Sequence, residues 1–255
     1  MPLPHTSCPA NADCPWDQFD PEWYVNHNYH SLREDDKHIL ELMRDFFAKS
    51  LAGRQLGRGL DLGTGANLYP ALAMLPFCEE ITLMERGAAN RRWLRSQISG
   101  PEGYSQSWDP FWETLAKETA YAQCIDPRKM LGERARVEYG DVFQLGQRQF
   151  DMGTMFFVAE SITARLEEFQ EATQRFVGSL RIGAPFAAAF MNKSDGYTVG
   201  NHRFPAVAVT EEYVTRCLSE VAEIAKLVLV RSNKPLREGY QGMFLALGKA
   251  EKVNN

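Results

Sequence analysis

Asp61-Leu62-Gly63-Thr64-Gly65 is the stretch of this chain best equipped for chemistry. Two glycines one residue apart permit a tight strand-to-helix turn whose backbone a ligand can approach closely. Glu85 closes a second apolar run about 20 residues further on, where a carboxylate can accept hydrogen bonds from both hydroxyls of a ribose. Together they outline a nucleoside site. Leu68 stands where a third glycine would complete the dinucleotide fingerprint, so close helix approach to a pyrophosphate is not specified, which speaks against NAD(P) and FAD. Asp61 adds a carboxylate suited to a ligand bearing an ammonium and a sulfonium, as S-adenosylmethionine does. A Gly-x-Gly turn alone is common, so its surroundings decide what it means.

The elements that must hold this turn follow a β-α rhythm. Residues 59–62 read as a short buried strand, 66–74 as a helix, 81–84 as a strand and 88–98 as a helix. After an interruption come strands at 135–139 and 150–158, a helix at 164–180, a strand at 184–191, a helix at 210–221, and strands near 224–231 and 242–247. Ahead of the turn, Ile39, Leu40, Leu42, Met43, Phe46 and Phe47 recur at helical spacing and predict an amphipathic helix over 34–51. The alternation predicts an α/β fold, a Rossmann-like and mostly parallel seven-stranded sheet with helices on both faces. Residues 1–15 read as a flexible tail and 16–255 as a single domain. Within it, residues 16–56 form an N-terminal cap over the site, and the aromatic stretch 99–134 forms a helical insertion.

The 255 residues carry 44% hydrophobic and 24% charged side chains, ordinary for a globular chain, and a net charge of -5 argues against a nucleic-acid partner. Arg91, Arg92 and Arg95 read as a solvated helix face. Five cysteines without a C-x-x-C pair, no leader-like segment and no run of about 18 apolar residues lead to the expectation of a reduced, cytoplasmic protein without a membrane span. His27, His30, His38 and His202 form no metal pattern, so no metal is expected.

Four ordered motifs, taken together, resemble the family of nicotinamide N-methyltransferase, phenylethanolamine N-methyltransferase and the indolethylamine and thioether methyltransferases. Phe19-Asp-Pro-Glu-Trp-Tyr-Val-Asn-His-Asn-Tyr29 is similar to the family's N-terminal motif, whose tyrosines close over the cofactor. The counterparts here are Tyr24 and Tyr29, and Trp16 stands where some members have another tyrosine. Residues 61–69 match the glycine loop that ends in a tyrosine, Tyr69. Residues 81–85 with Asn90 match the ribose strand and its partner asparagine, and Gly140-Asp141-Val142 match the motif that contacts adenine. The resemblance implies S-adenosylmethionine as cofactor and assigns it Tyr24, Tyr29, Asp61, Gly63, Thr64, Gly65, Asn67, Tyr69, Glu85, Arg86, Asn90, Asp141, Val142 and Phe156. The ribose ligand is usually aspartate in the family, and Glu85 is a longer equivalent.

The same resemblance places Glu160 and Asp195 beside the methyl acceptor as candidate catalytic carboxylates, and Trp16, Phe157, Ser194 and Tyr197 on the acceptor wall. If the acceptor is an aliphatic amine, a carboxylate must take its proton before the nitrogen lone pair can attack. The resulting expectation is methyl transfer to nitrogen of a small amine or aromatic heterocycle, by a monomer or weak homo-oligomer. An oxygen, sulfur or carbon acceptor, a cofactor-binding protein without catalysis, and an NAD(P) oxidoreductase are the alternatives. Phe156 and Phe157 replace small or polar residues of the family and reshape the pocket floor.

Overall fold

The computed structural model describes residues 10–100, 102–231 and 241–251. Strands β1 (Leu56–Leu62), β2 (Cys78–Glu85), β3 (Ala135–Tyr139), β4 (Met152–Phe156) and β5 (Pro185–Met191) are followed by a separate hairpin, β6 (Gly196–Val199) and β7 (His202–Pro205), then β8 (Ala222–Val230) and β9 (Met243–Ala250). The main sheet has seven strands in the order β3-β2-β1-β4-β5-β9-β8. Only β9 runs against its neighbours. Between β1 and β4 the strand order reverses, which opens a crevice at the carboxyl ends of those strands, the place where such sheets bind ligands.

Strand β5 shows why the sheet lies inside the molecule. Its seven residues are all buried. Phe186, Ala188 and Phe190 face one apolar cluster, while Ala187, Ala189 and Met191 face the other. A near-continuous apolar run of this kind suits a strand covered on both faces. One face is covered by α2 (Glu34–Leu51), α3 (Tyr69–Met74), α4 (Ala88–Ser99), α5 (Asp109–Leu115), α6 (Thr119–Ala122) and α7 (Pro127–Arg134), and the other by α8 (Leu166–Ser179) and α9 (Glu211–Ser219). Helix α2 has the expected bounds: Glu34, Asp35 and Asp36 complement the dipole of its first turn, and left-handed Ala52 and Gly53 end it.

The insertion is part of the core. Trp108, Phe111 and Tyr121 are fully buried, and the Tyr121 hydroxyl donates to the Ala73 carbonyl at 2.7 Å. Two elements differ from the pattern reading. Helix α3 begins at Tyr69 rather than Ala66, because Asn67 N–H folds back onto the Thr64 carbonyl and Asn67 Oδ1 accepts from Tyr69 N–H. Between the strand expected at 184–191 and the helix expected at 210–221, where no element was assigned, the chain forms a hairpin.

The cap begins with α1 (Pro21–Asn28), which is started by the Asp20 side chain accepting from Trp23 N–H at 2.9 Å, with Pro21 in the first turn. Of the expected tail, residues 1–9 lie outside the described residues, whereas residues 10–15 pack on the body: Ala10, Asn11 and Cys14 are buried. Asp17 ties the following turn to α4 by accepting from Ala88 N–H at 2.7 Å. Residues 10–20 therefore run as a strap over the crevice.

Candidate active site

The glycine turn is held from beneath. Gly63 N–H and Thr64 N–H donate to the Met84 carbonyl at 2.8 and 3.3 Å, and Gly65 N–H donates to Glu85 Oε2 at 2.9 Å. All three amides are thus engaged within the protein rather than turned to cradle a phosphate, which disfavours a dinucleotide here. Both glycines are left-handed, with φ of 63° and 58°. A side chain at Gly63 would collide with Val158, whereas one at Gly65 would make only ordinary contacts with the Gly63 carbonyl and Asn90. Without side chains, the turn offers a bare surface where a ligand can lie against the backbone.

Glu85 ends β2 and is buried. Its Oε1 accepts from Gly87 N–H at 2.6 Å as its Oε2 accepts from Gly65. Burial raises its pKa, opposed by the hydrogen bonds from Gly87, Gly65 and Asn90 and by nearby Arg91. Around it, Asn67 Nδ2 and Asn90 Oδ1 are buried on the cleft wall without a partner. Buried polar atoms of this kind are rare unless a ligand satisfies them. A donor and an acceptor beside a bare glycine turn and a carboxylate fit the amino-acid and ribose parts of S-adenosylmethionine.

At the far end, Asp141 follows β3. Its Oδ2 accepts from Arg86 at 2.6 Å and its Oδ1 from Phe143 N–H at 3.0 Å. Val142 and Gly140 line the same end of the cleft.

The cleft continues past this nucleoside half and encloses about 1180 Å³, its mouth included. The outer half is lined by Trp16, Phe19, Trp23, Tyr24, Phe157 and Tyr197, with Ser161, Ile162, Met191 and Thr198 between them. Phe204 of the β6–β7 hairpin stacks on both Trp16 and Tyr197, with ring centroids 5.2 and 5.5 Å apart, and so fixes the strap and the hairpin as one aromatic wall. Phe157 is left-handed, with φ 59°, a conformation that costs a bulky residue energy and is found mainly at functional sites.

Residues 9–250 match the model of the NNMT/PNMT/TEMT family. The chain belongs to that family. It is 24% identical to phenylethanolamine N-methyltransferase of Macaca mulatta over 93% of this chain and 90% of that one. To the human enzyme of the same name it is 25% identical over 80% and 77%. Its fold is that of the N-methyltransferase NodS from Bradyrhizobium japonicum in complex with S-adenosylhomocysteine (TM-score 0.52, 11% identity, covering 92% and 94%). The PH0226 protein of Pyrococcus horikoshii shares it as well (TM-score 0.56, 12% identity, covering 91% and 100%).

This S-adenosylmethionine-dependent methyltransferase brings together most of the residues singled out from its sequence. Tyr24, Tyr29, Gly63, Thr64, Gly65, Asn67, Glu85, Arg86, Asn90, Asp141, Val142, Phe156, Trp16, Phe157 and Tyr197 all line one cleft. Five others do not. Asp61 lies behind the turn, fully buried, with Oδ1 accepting from Thr154 of β4 at 2.7 Å, and burial pushes its pKa up to about 7. Tyr69 is also behind the wall, stacked on Phe111 and donating to Asp36 Oδ1 at 3.4 Å. Glu160 is buried, and its Oε1 accepts from Met191 N–H and Ser161 Oγ, both at 3.0 Å, so its carboxylate supports the end of β5 rather than facing the acceptor. Ser194 is buried against the Gly196 carbonyl, and Asp195 is exposed.

Among the lining residues that the sequence reading passed over are Asn11, Trp23, His27, Met84, Val158, Ser161, Ile162, Met191 and Thr198. Met191 carried a legible signal, because it ends a core strand at the carboxyl edge of the sheet. Asn11 had none, lying in a segment without periodicity.

Proposed function

We propose that this methyltransferase places a methyl group on the ring nitrogen of a small, flat, uncharged heterocycle. The supporting observation is the acceptor half of the cleft, whose wall among the described residues is largely aromatic, with His27 stacked on Trp23, and carries no carboxylate. The two acids on the wall, Glu85 and Asp141, sit at the nucleoside end and are already bonded. An aliphatic amine is a cation at neutral pH and would need an anionic partner and a proton acceptor. A heteroaromatic nitrogen exposes its lone pair without losing a proton, and its ring can lie against aromatic faces.

S-adenosylmethionine, when bound, supplies a methyl group on a positively charged sulfur. The chain's own residues supply position. Glu85 would accept from the ribose, Asn67 and Asn90 would meet the polar groups nearest the turn, and Asp141 with Val142 would take the adenine. Trp16, Tyr197 and Phe157 hold the acceptor plane, and the strap keeps water away. In-line displacement gains most from such fixed geometry, and no protein nucleophile is needed.

The test has two parts. Titration calorimetry should detect S-adenosylmethionine and S-adenosylhomocysteine at micromolar concentration, and the absence of binding removes the cofactor assignment. A mass-spectrometric screen of pyridines, azoles and aliphatic amines should then give methylated heterocycles, and methylation confined to the amines overturns the heterocycle.

We read the protein further as a cytoplasmic monomer or weak homo-oligomer that binds no nucleic acid. Cys78, Cys124 and Cys217 form no disulfide among the described residues, which suits a reducing compartment, and the net charge of -5 does not favour polyphosphates. Among the described residues no helix is long and apolar enough to cross a membrane. Light scattering after gel filtration checks the assembly state.

A further inference from the structure

We propose that Asn11, from the strap, reads the N7 edge of the cofactor's adenine and is a specificity-determining residue of the nucleoside site. This rests on the assignment of S-adenosylmethionine to the cleft.

Asn11 lines the cleft and is only 3% exposed. Its backbone is clamped from two sides. The N–H donates to Glu168 Oε2 of α8 at 3.0 Å, and the carbonyl accepts from Trp16 Nε1 at 3.0 Å. The carboxamide Nδ2 lies 3.5 Å from Asp141 Oδ1. That distance is at the weak end of hydrogen bonding, so the amide loses little by exchanging this partner for another.

The chemistry of the base completes the argument. The amino group of adenine carries two hydrogens, one on the N1 side and one on the N7 side. Asp141 and the Val142 amide match the N1 side, an acceptor beside a donor. A carboxamide next to Asp141 offers the second acceptor and a donor for N7, the same two-point pairing that asparagine makes with adenine in DNA. Arg86 holds Asp141 Oδ2 at 2.6 Å, so the carboxylate stays in place while Asn11 turns to the ring.

The experiment compares S-adenosylhomocysteine with its 7-deaza analogue, in which N7 is replaced by a carbon that cannot accept. Calorimetry on the wild-type chain should show the analogue binding roughly 3- to 10-fold more weakly, the effect of one lost hydrogen bond. Asn11→Ala should weaken S-adenosylhomocysteine by a similar factor and bind the two ligands equally, with its unliganded thermal midpoint within a few degrees of wild type. Equal binding of both ligands by the wild type overturns the proposal without any variant. Retention of the wild-type preference by Asn11→Ala also overturns it, since the carboxamide would then serve only to orient Asp141. Failure of the wild type to bind S-adenosylhomocysteine at all removes the cofactor assignment itself, and the inference falls with it.

Discussion

Replacing Gly63 by alanine should damage the protein far more than the same change at Gly65, although both residues belong to one turn and share a left-handed φ. A Cβ at Gly63 would lie 2.7 Å from both Val158 Cγ1 and Cγ2 and 3.3 Å from Val158 Cβ. Val158 is branched at Cβ, so rotating its side chain cannot clear both methyls, and the backbone must yield. Overpacking of this kind costs about 1–3 kcal/mol, and the left-handed conformation adds about 1–2 kcal/mol for any L-residue with a side chain. At Gly65 the nearest atoms are the Gly63 carbonyl oxygen at 3.7 Å and Asn90 Nδ2 at 4.0 Å, ordinary contacts, so only the conformational cost applies. For a chain of this size about 1 kcal/mol shifts the thermal midpoint by roughly 2 °C. Scanning calorimetry should therefore show a loss of roughly 4–10 °C for Gly63→Ala and roughly 2–4 °C for Gly65→Ala. Adding Val158→Ala should make the pair cost less than the sum of the single changes, by about 1–2 kcal/mol. Equal losses at the two glycines, or strict additivity with Val158→Ala, would show that the collision does not set the cost.

Glu85→Ala should weaken S-adenosylhomocysteine by about 1.5–3 kcal/mol, the scale for a hydrogen bond to a charged group, when measured by calorimetry; unchanged affinity would move the ribose elsewhere. Asp61 has a folded pKa of about 7, above its unfolded value, so the folded state holds this proton more tightly. Its contribution to stability is therefore greatest below about pH 4 and falls as pH rises from about 4 to about 7. Asp61→Asn, which keeps an acceptor for Thr154, should match the wild type in denaturant midpoint at about pH 3.5, gain on it as pH rises and exceed it most at about pH 8, and an equal gain at both ends refutes this titration. Glu160→Leu strips Met191 N–H of its acceptor and should cost about 1–3 kcal/mol. Glu160→Gln keeps that bond and should retain most of the turnover, while a collapse of turnover with stability intact would return Glu160 to the acceptor side.

Much of the scaffold was legible because each element obeys its own period. The strand over 135–139 and the helix over 34–51 lie where the pattern puts them, and the nucleoside half of the site follows from residues that end strands. The missed elements depend on geometry without a period. The β6–β7 hairpin turns at Gly200-Asn201, a two-residue turn of a recognised type, but its strands of four residues each are too short to show a clear period. Glu160 is set beside the acceptor by the family resemblance alone, and no hydrophobic pattern reveals that its carboxylate accepts from Met191 N–H or that Phe157 takes a positive φ. Asn11 gains its place only when the strap folds across α8 and Asp141, a contact between residues more than a hundred positions apart.

The left-handed Phe157 also bears on how this enzyme could be redesigned. Most changes that enlarge a binding pocket remove packing and weaken the fold. At this position a glycine or asparagine would relieve a backbone penalty of about 1–2 kcal/mol while clearing the floor beneath the acceptor, so the loss of the ring is partly offset where the extra room is created. Residue 157 is thus a low-risk starting point for directed evolution toward bulkier acceptors, and libraries that sample small residues there should keep an unusually high proportion of folded members.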